Sequence, residues 1–172
     1  MKIKVGINGM GRIGRMILRS IFEGNKDIEI KHINNRTSSE TCSTLLKYDS
    51  IHGKFKTDIG YDEKSLIING SKISFGQETD LNKIDWKNFG VDYVFECTGK
   101  FNSKDKLQTH LNNGAKKVIV SAPCENADKT IVFGVNESEM KKEDKIISAA
   151  SCTTNCLAPV AHVLNENFGI EK

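Results

Sequence analysis

One cysteine stands where the sequence could activate a nucleophile. Cys152 follows the short apolar run at residues 146–150 and precedes an apolar helical stretch that ends near residue 168, so a strand ends and a helix begins there. The first N–H groups of a helix have no intrahelical partner and carry partial positive charge, which stabilises a thiolate and makes it a better nucleophile. Cys152 is therefore a candidate catalytic residue. The alternative is a small buried cysteine behind a helix-capping Ser151.

Hydroxyl groups flank this cysteine on both sides. Ser151, Thr153 and Thr154 lie within two residues of the sulfur-bearing position. Their O–H groups, together with the N–H groups of a helix start, are donors suited to an oxyanion or a phosphate. The stretch thus combines a nucleophile with anion-binding groups.

A second pattern, at the N-terminus, indicates the element that would position a cofactor. Gly9, Gly11 and Gly14 form a G-x-G-x-x-G motif directly after a predicted strand at residues 2–8 and before a helical run at residues 15–23. In dinucleotide-binding folds the first glycine permits a tight turn, the second lets a pyrophosphate approach the backbone, and the third lets the helix pack on the sheet. An ordinary glycine turn is the alternative, but the strand–turn–helix context favours the dinucleotide fingerprint.

Strands and helices alternate along the rest of the chain. The pattern predicts strands at residues 28–34, 91–97, 118–120, 130–134 and 145–149, helices at 40–47 and 104–112, and a hairpin with an Asn-Gly turn at 65–75. This alternation predicts a doubly wound α/β domain, Rossmann-like and mostly parallel, with a β-hairpin insertion. We assign residues 1–150 to this dinucleotide-binding domain and residues 151–172 to the start of a second domain.

The end of the second predicted strand bears on the choice of cofactor. Dinucleotide folds commonly carry an acidic residue there, which binds the adenosine ribose of NAD. Asn35 occupies this position and Arg36 follows it. Asn35 can still bind the ribose, which would leave Arg36 as a surface charge. Arg36 could instead pair with the 2′-phosphate of NADP. NAD is the expected cofactor, with NADP left open.

Composition argues against several other classes of protein. The net charge of +3 comes from 25 basic and 22 acidic residues, with no basic stripe of the kind that binds nucleic acid, and no apolar run reaches the roughly 18 residues of a membrane span. The five cysteines have no metal-ligand spacing, so we expect no metal site. An odd cysteine count without a signal-peptide pattern favours the cytoplasm.

The cysteine segment resembles that of a known family. The run SCTTNC beginning at Ser151, followed by LAP, resembles the active-site signature of the phosphorylating glyceraldehyde-3-phosphate dehydrogenases of glycolysis. The resemblance extends over the whole chain. It implies that Cys152 forms a thiohemiacetal with the aldehyde, that hydride passes to the nicotinamide, and that inorganic phosphate releases the acyl group. It also implies that Ser151, Cys152 and Thr153 bind glyceraldehyde 3-phosphate or inorganic phosphate.

The same resemblance implies the cofactor-binding residues. Arg12 and Ile13 would lie on the pyrophosphate, and Thr79 stands where the family usually has an arginine beside the adenine. Asn35 replaces the family's usual aspartate. The full set of implied cofactor residues is Asn8, Gly9, Gly11, Arg12, Ile13, Gly14, Asn35, Thr79, Thr98, Gly99 and Ser121.

The resemblance also sets expectations for the rest of the enzyme. In the family, the histidine that takes the cysteine proton lies beyond the position of Lys172, and His162 would lie about 15 Å along the helix axis from Cys152. We therefore expect a truncated N-terminal part that is inactive alone, whose last helix would pack on a catalytic sheet, and whose full-length form is a homotetramer. Erythrose-4-phosphate dehydrogenase and a non-catalytic nucleotide-binding remnant are the alternatives.

Overall fold

The computed structural model describes residues 2–24 and 27–171, which form eleven strands and four α-helices. In chain order these are β1 Ile3–Asn8, α1 Arg12–Gly24, β2 Ile28–Asn34, α2 Ser39–Lys47, β3 Tyr48–Asp49, β4 Gly53–Lys54, β5 Ile59–Asp62, β6 Ser65–Ile68, β7 Ser71–Gly76, β8 Tyr93–Glu96, α3 Lys104–Asn112, β9 Lys117–Val120, β10 Lys129–Thr130, β11 Ile146–Ser148 and α4 Cys152–Phe168.

Nine of the strands form one sheet in the order β10-β11-β9-β8-β1-β2-β7-β6-β5. All neighbours from β10 to β7 pair in parallel, and the last two pairings are antiparallel. The chain moves outward from β1 to β2 in one direction and from β8 to β9 in the other. Because such crossovers are right-handed, α1 and α3 cover opposite faces of the sheet. The predicted doubly wound α/β fold is confirmed.

The insertion is larger than the predicted hairpin. Its turn has Asn69 at φ 48° and Gly70 at φ 75°, and two consecutive positive φ values are what a tight two-residue hairpin turn requires. The antiparallel hairpin β6–β7 forms as expected, and β5 adds a third strand outside it. Strand β7, however, joins β2 in parallel, so the insertion continues the parallel sheet before reversing direction.

Three predicted elements differ from the structure by two or more residues at one end. Helix α1 begins at Arg12 rather than at residue 15, because the glycine loop opens directly into it. Strand β8 covers Tyr93–Glu96 rather than residues 91–97. The strand predicted at residues 130–134 is reduced to β10, since the Asn136 side chain accepts from the Val132 N–H and donates to the Thr130 carbonyl, which occupies backbone groups that a ladder would use.

The core lies on both faces of the central strands. Trp86 is fully buried against β1, where a Cβ added to Gly6 would come within 2.5 Å of the indole ring. The other large buried side chains are aliphatic or aromatic and come from the strands of the large sheet, from α1, α2 and α3, and from the connecting loops. Within the part of the chain that the structure describes, no helix is long and apolar enough to cross a membrane.

Candidate active site

A cavity of about 270 Å³ opens at the carboxyl ends of β1, β2 and β8. The chain leaves β1 for β2 on one side and later returns to β8 on the other, so the strand order reverses between β1 and β8. Doubly wound folds bind ligands at this switch point because the connecting loops diverge there and leave a crevice. The cavity therefore lies where the fold predicts a nucleotide.

Six of the eleven predicted cofactor residues line this cavity. They are Asn8, Gly9, Gly11, Asn35, Thr79 and Thr98. They come from loops that are far apart in sequence and that meet only because their strands are neighbours in the sheet. The other lining residues are Asn34, Arg36, Glu78, Leu81, Cys97, Lys100 and Phe101.

The glycine loop has the contacts that its motif predicts. Gly9 has φ 98°, and a Cβ there would lie 2.8 Å from the backbone nitrogen of Thr98, so the β1 and β8 loops pass too closely for any side chain. A Cβ on Gly14 would lie 2.0 Å from the Gly9 carbonyl oxygen, so helix α1 can begin against the loop only with glycine there. A Cβ on Gly11 would meet nothing within 4 Å, so the backbone at this residue is open to a ligand.

Arg12 and Ile13 lie in the first turn of α1 and do not line the cavity. The Arg12 guanidinium is 3.3 Å from the Asp49 carboxylate. Backbone N–H groups of His52 and Ile51, together with Arg12, hold the pKa of Asp49 at about 2. The Arg12 charge is therefore already paired with a carboxylate that stays ionised.

The Asn35 amide is oriented by neighbours on both sides. Its Oδ1 accepts from the Met10 N–H at 3.0 Å, while its Nδ2 donates to Thr37 Oγ1 at 2.6 Å and to Cys42 Sγ at 3.2 Å. Burial raises the pKa of the Cys42 thiol, so the sulfur remains protonated. An acceptor oxygen is thus held against the glycine loop at the residue predicted to face the ribose.

Several lining residues were not among the predicted site residues. Lys100 and Phe101 belong to the loop after β8 that includes Thr98, and Glu78 is adjacent to Thr79. Their sequence neighbours were therefore the available signal. Leu81, 7% exposed, had none, because a leucine in a short helical turn carries no functional pattern.

Two further predicted residues lie beside the cavity without lining it. Gly99, at φ 69°, follows Thr98 in the same turn. Ser121 follows β9, and its N–H donates to the Glu96 carbonyl at 3.0 Å. Its side chain also hydrogen-bonds Cys97, whose pKa burial raises to about 12. That cysteine is therefore an inert wall residue at neutral pH.

Cys152 is the first residue of α4 and is exposed. The turn that leads to it has Ala150 at φ 59°, a left-handed conformation that side chains rarely adopt and that redirects the chain from β11 into the helix. Ser151 is the N-cap, and its Oγ accepts from the Thr154 N–H at 3.0 Å and lies 2.9 Å from Thr153 Oγ1. The predicted strand–cap–helix arrangement around the sulfur is confirmed.

The candidate nucleophile and the cavity belong to one edge of the sheet. Strands β11, β9, β8, β1 and β2 are consecutive neighbours and parallel, so the residues that follow their carboxyl ends form a row. In that row Cys152 follows β11, Ser121 follows β9, Thr98 follows β8, Gly9 follows β1 and Asn35 follows β2. At a strand spacing of about 4.8 Å the row is roughly 19 Å long.

The apolar side of α4 is uncovered. None of the residues Cys152–Phe168 is buried, and Leu157 is 68% and Phe168 83% exposed.

Among residues 2–24 and 27–171, no group of histidine, cysteine and carboxylate side chains is arranged to hold a metal ion.

Comparison with known proteins gives a consistent result. The sequence profile described as glyceraldehyde 3-phosphate dehydrogenase, NAD binding domain, matches residues 3–104. The chain belongs to this family. The profile of the family's C-terminal domain matches residues 151–172, the segment that begins with the cap of α4.

Curated relatives of the family match along nearly all of the chain. Glyceraldehyde-3-phosphate dehydrogenase of Thermotoga maritima is 51% identical over 168 residues, which are 97% of this chain and 50% of the relative. Glyceraldehyde-3-phosphate dehydrogenase 2 of Bacillus subtilis is 51% identical over 172 residues, and the Geobacillus stearothermophilus enzyme is 48% identical over 171 residues. The chain spans about half the length of these relatives.

Proposed function

We propose that this chain supplies the NAD-binding half and the nucleophile of a phosphorylating glyceraldehyde-3-phosphate dehydrogenase. The observation that carries the proposal is the row along the sheet edge, which leads from Asn35 through the glycine loop and Thr98 to Ser121 and Cys152. An extended dinucleotide bound along this row would have its adenosine at β2 and its nicotinamide near the cysteine helix. Family membership and the relatives' printed names support the same activity.

The residues along the row have complementary roles in this proposal. Asn35 and the glycine loop bind the adenosine ribose and the pyrophosphate, and Ser121 lies towards the nicotinamide. NAD, when bound, supplies the hydride acceptor. The Cys152 sulfur adds to the aldehyde carbon of glyceraldehyde 3-phosphate, and the hydroxyls of Ser151 and Thr153, with the helix N–H groups, stabilise the oxygen that becomes charged.

The remaining expectations belong to the same proposal. Residues 1–150 form the dinucleotide-binding domain and residues 151–172 begin the catalytic domain, which the C-terminal profile match from residue 151 supports. Glyceraldehyde 3-phosphate and inorganic phosphate are the small-molecule partners, the location is the cytoplasm, and the assembled enzyme is a homotetramer.

The cofactor site is tested by titrating the purified chain with NAD and NADP in a calorimeter. The chain should bind NAD. The Kd for NADP should exceed the Kd for NAD by less than about a thousandfold, or roughly 4 kcal/mol, because Asn35 has no charge to repel a 2′-phosphate. Asn35→Asp should weaken NADP at least about tenfold relative to NAD, because the new carboxylate keeps the Met10 N–H contact while repelling the phosphate.

Two outcomes separate the parts of this proposal. If the chain binds neither nucleotide at millimolar concentration, the cofactor site is wrong. If Arg36→Ala leaves the NADP affinity unchanged while NAD is preferred above a thousandfold, Arg36 is a plain surface charge and the chain is specific for NAD.

The nucleophile is tested by substoichiometric iodoacetamide followed by peptide mapping. Cys152 should react first because it is exposed at a helix start, with Cys156, exposed one turn further on, as the internal control. Cys97 should react about a thousandfold more slowly than a thiol of ordinary pKa, since burial raises its pKa from 9.0 to about 12 and leaves far less thiolate at neutral pH. Equal labelling of Cys42 or Cys124 would show that the helix start does not activate the sulfur.

A further inference from the structure

Buried polar side chains form a hydrogen-bonded network, here called the polar network, that runs from α3 through the centre of the sheet to the cavity. Glu96 and Asn8 are 1% exposed and Asn34 is 3% exposed, while His110 and Trp86 are fully buried. Burying a polar group costs free energy unless the group is hydrogen-bonded. Such a network therefore constrains the orientation of every member. The proposed activity does not account for Glu96, His110 or Trp86, because none of them lines the cavity.

One end of the polar network is fixed by backbone groups of the cavity wall. Asn34 Oδ1 accepts from the Glu78 N–H at 2.8 Å and Asn34 Nδ2 donates to the Glu78 carbonyl at 2.9 Å, so the amide cannot be reversed. The same Nδ2 donates to Asn8 Oδ1 at 2.8 Å. Asn8 must therefore present its Nδ2 to Glu96, and this donor lies 2.6 Å from Glu96 Oε2.

The other end is fixed by an indole, which can only donate. Trp86 Nε1 donates to His110 Nδ1 at 2.9 Å, so this ring nitrogen carries no proton. The imidazole proton is then on Nε2, which lies 3.0 Å from Glu96 Oε2. Both ends of the polar network thus direct hydrogen-bond donors at one carboxylate oxygen, Glu96 Oε2.

The second carboxylate oxygen holds the opposite wall of the cavity. Glu96 Oε1 accepts from the Thr98 N–H at 2.8 Å and from the Thr98 hydroxyl. The same hydroxyl accepts from the Lys100 N–H at 3.2 Å, which closes the turn that follows β8. In all four hydrogen bonds that the structure gives to the Glu96 side chain, a carboxylate oxygen is the acceptor.

We propose that Glu96 is a positioning residue for the cofactor: its carboxylate holds both walls of the cavity, one through Asn8, Asn34 and the Glu78 backbone, the other through Thr98. This inference rests on the proposed NAD-binding function and adds a residue to it. Glu96 itself does not line the cavity and acts through residues that do. It acts because Asn8 and Thr98, which line the cavity, have no other arrangement that satisfies the donors converging on the carboxylate.

Glu96→Gln is the sharpest test because it keeps the size of the side chain and changes only its hydrogen bonding. A glutamine amide has one acceptor and one donor end, so its NH₂ must face either the Thr98 N–H or the donors of Asn8 and His110. Either choice opposes donors in a buried site, and one wall must move. We expect the Kd for NAD to rise about tenfold or more.

Leu66→Ala is the matched control. Leu66 is fully buried in β6, which is separated from the cavity strands by β7. The change should therefore lower the free energy of unfolding without altering the polar network. Its Kd for NAD should change less than about threefold when both variants are measured in calorimetry below their unfolding transitions. If Glu96→Gln is folded and binds NAD as Leu66→Ala does, the carboxylate is only structural and the inference is overturned.

A measurement on the unmodified chain keeps the inference testable should Glu96→Gln not fold. Trp86 is the sole tryptophan, so its indole N–H gives one cross-peak in a ¹H–¹⁵N spectrum. Long-range ¹H–¹⁵N correlation should show His110 as the Nε2–H tautomer, and added NAD should shift the Trp86 peak through the connected hydrogen bonds. An Nδ1–H tautomer, or an unmoved indole peak at saturating NAD, would overturn the inference.

The failure of the proposed function looks different from the failure of this inference. Absence of NAD binding by the unmodified chain in calorimetry refutes the cofactor site, whatever the tautomer of His110. Normal NAD binding combined with the wrong tautomer, or with an unaffected Glu96→Gln variant, refutes only the positioning role of Glu96.

Discussion

Helix α3 and helix α4 are both apolar on one side, yet only α3 is packed. Leu107 of α3 is fully buried against β9, within a cluster that includes Val118 and Ile146. Leu157 of α4 is 68% exposed. Periodic apolar residues therefore identify the side of a helix that requires a partner, and the partner itself must be found elsewhere in the structure.

The two helices consequently depend on different forces. Helix α3 is held by burial on a sheet whose central strands are covered on both faces. Helix α4 depends on its cap and its own backbone hydrogen bonds, and Pro159 inside it has no N–H to donate to the preceding turn. The large sheet together with helices α1, α2 and α3, which we call the sheet domain, should therefore respond cooperatively to mutation and pH, while α4 should respond locally.

The largest expected effect compares one leucine from each helix. Leu107→Ala should lower the free energy of unfolding by about 2–5 kcal/mol, because a buried leucine leaves a cavity. Leu157→Ala should change it by less than about 0.5 kcal/mol, since its side chain is already in water. Urea denaturation followed by Trp86 fluorescence measures both. A loss above about 1 kcal/mol for Leu157→Ala would mean that α4 packs on something in solution.

A smaller effect should appear with pH in the sheet domain alone. His32 is buried between Ser74, whose Oγ is 3.0 Å from Nδ1, and the stacked ring of Phe89, and this burial lowers its pKa from 6.5 to about 4. Below about pH 6.5 His32 becomes protonated in the unfolded chain, whereas in the folded chain it becomes protonated only near pH 4. Stability should therefore fall across this window, by about 3 kcal/mol at most.

The contribution of His32 is isolated by comparing variants. His32→Gln should be less stable at pH 7 but should lose less stability between about pH 6.5 and 4 than the unmodified chain does. Hydrogen exchange should show the change in the β2 amides and not in α4. If His32→Gln keeps the slope of the unmodified chain, the buried histidine is not its cause.

The fold could be predicted from the sequence where local pattern and tertiary context agree. The glycine motif, the Asn69-Gly70 turn and the cap of α4 each specify a backbone conformation through the residues themselves. The strand expected at residues 130–134 failed because Asn136 binds backbone groups of that segment, a tertiary competition that apolar periodicity does not report.

The candidate site was predictable to the same extent. Loop residues with a recognisable motif were found, and six of them line the cavity. Glu96 and His110 could not be found in this way, because a carboxylate in an apolar strand and a histidine in a helix acquire meaning only when the sheet brings them within 3.0 Å. Their interaction depends on strand order, which sequence pattern does not specify.

The smallest effect compares the caps of two helices. Ser151 caps α4 and Ser38 caps α2, each by accepting from the backbone N–H three residues on, at 3.0 and 3.2 Å. Replacing such a serine by alanine costs about 1 kcal/mol of helix stability. Helix α2 buries Cys42 and Leu46, whereas α4 buries nothing among Cys152–Phe168. The same chemical change should therefore be measured in two different ways.

Ser38→Ala should lower the global free energy of unfolding by about 1 kcal/mol, because α2 unfolds with the sheet domain. Ser151→Ala should leave the global value unchanged and should instead speed hydrogen exchange of the first α4 amides about fivefold, the factor that corresponds to about 1 kcal/mol. Urea titration and native-state exchange on both variants decide the matter. If Ser151→Ala lowers global stability as much as Ser38→Ala does, α4 is coupled to the sheet and the contrast between the two regions is wrong.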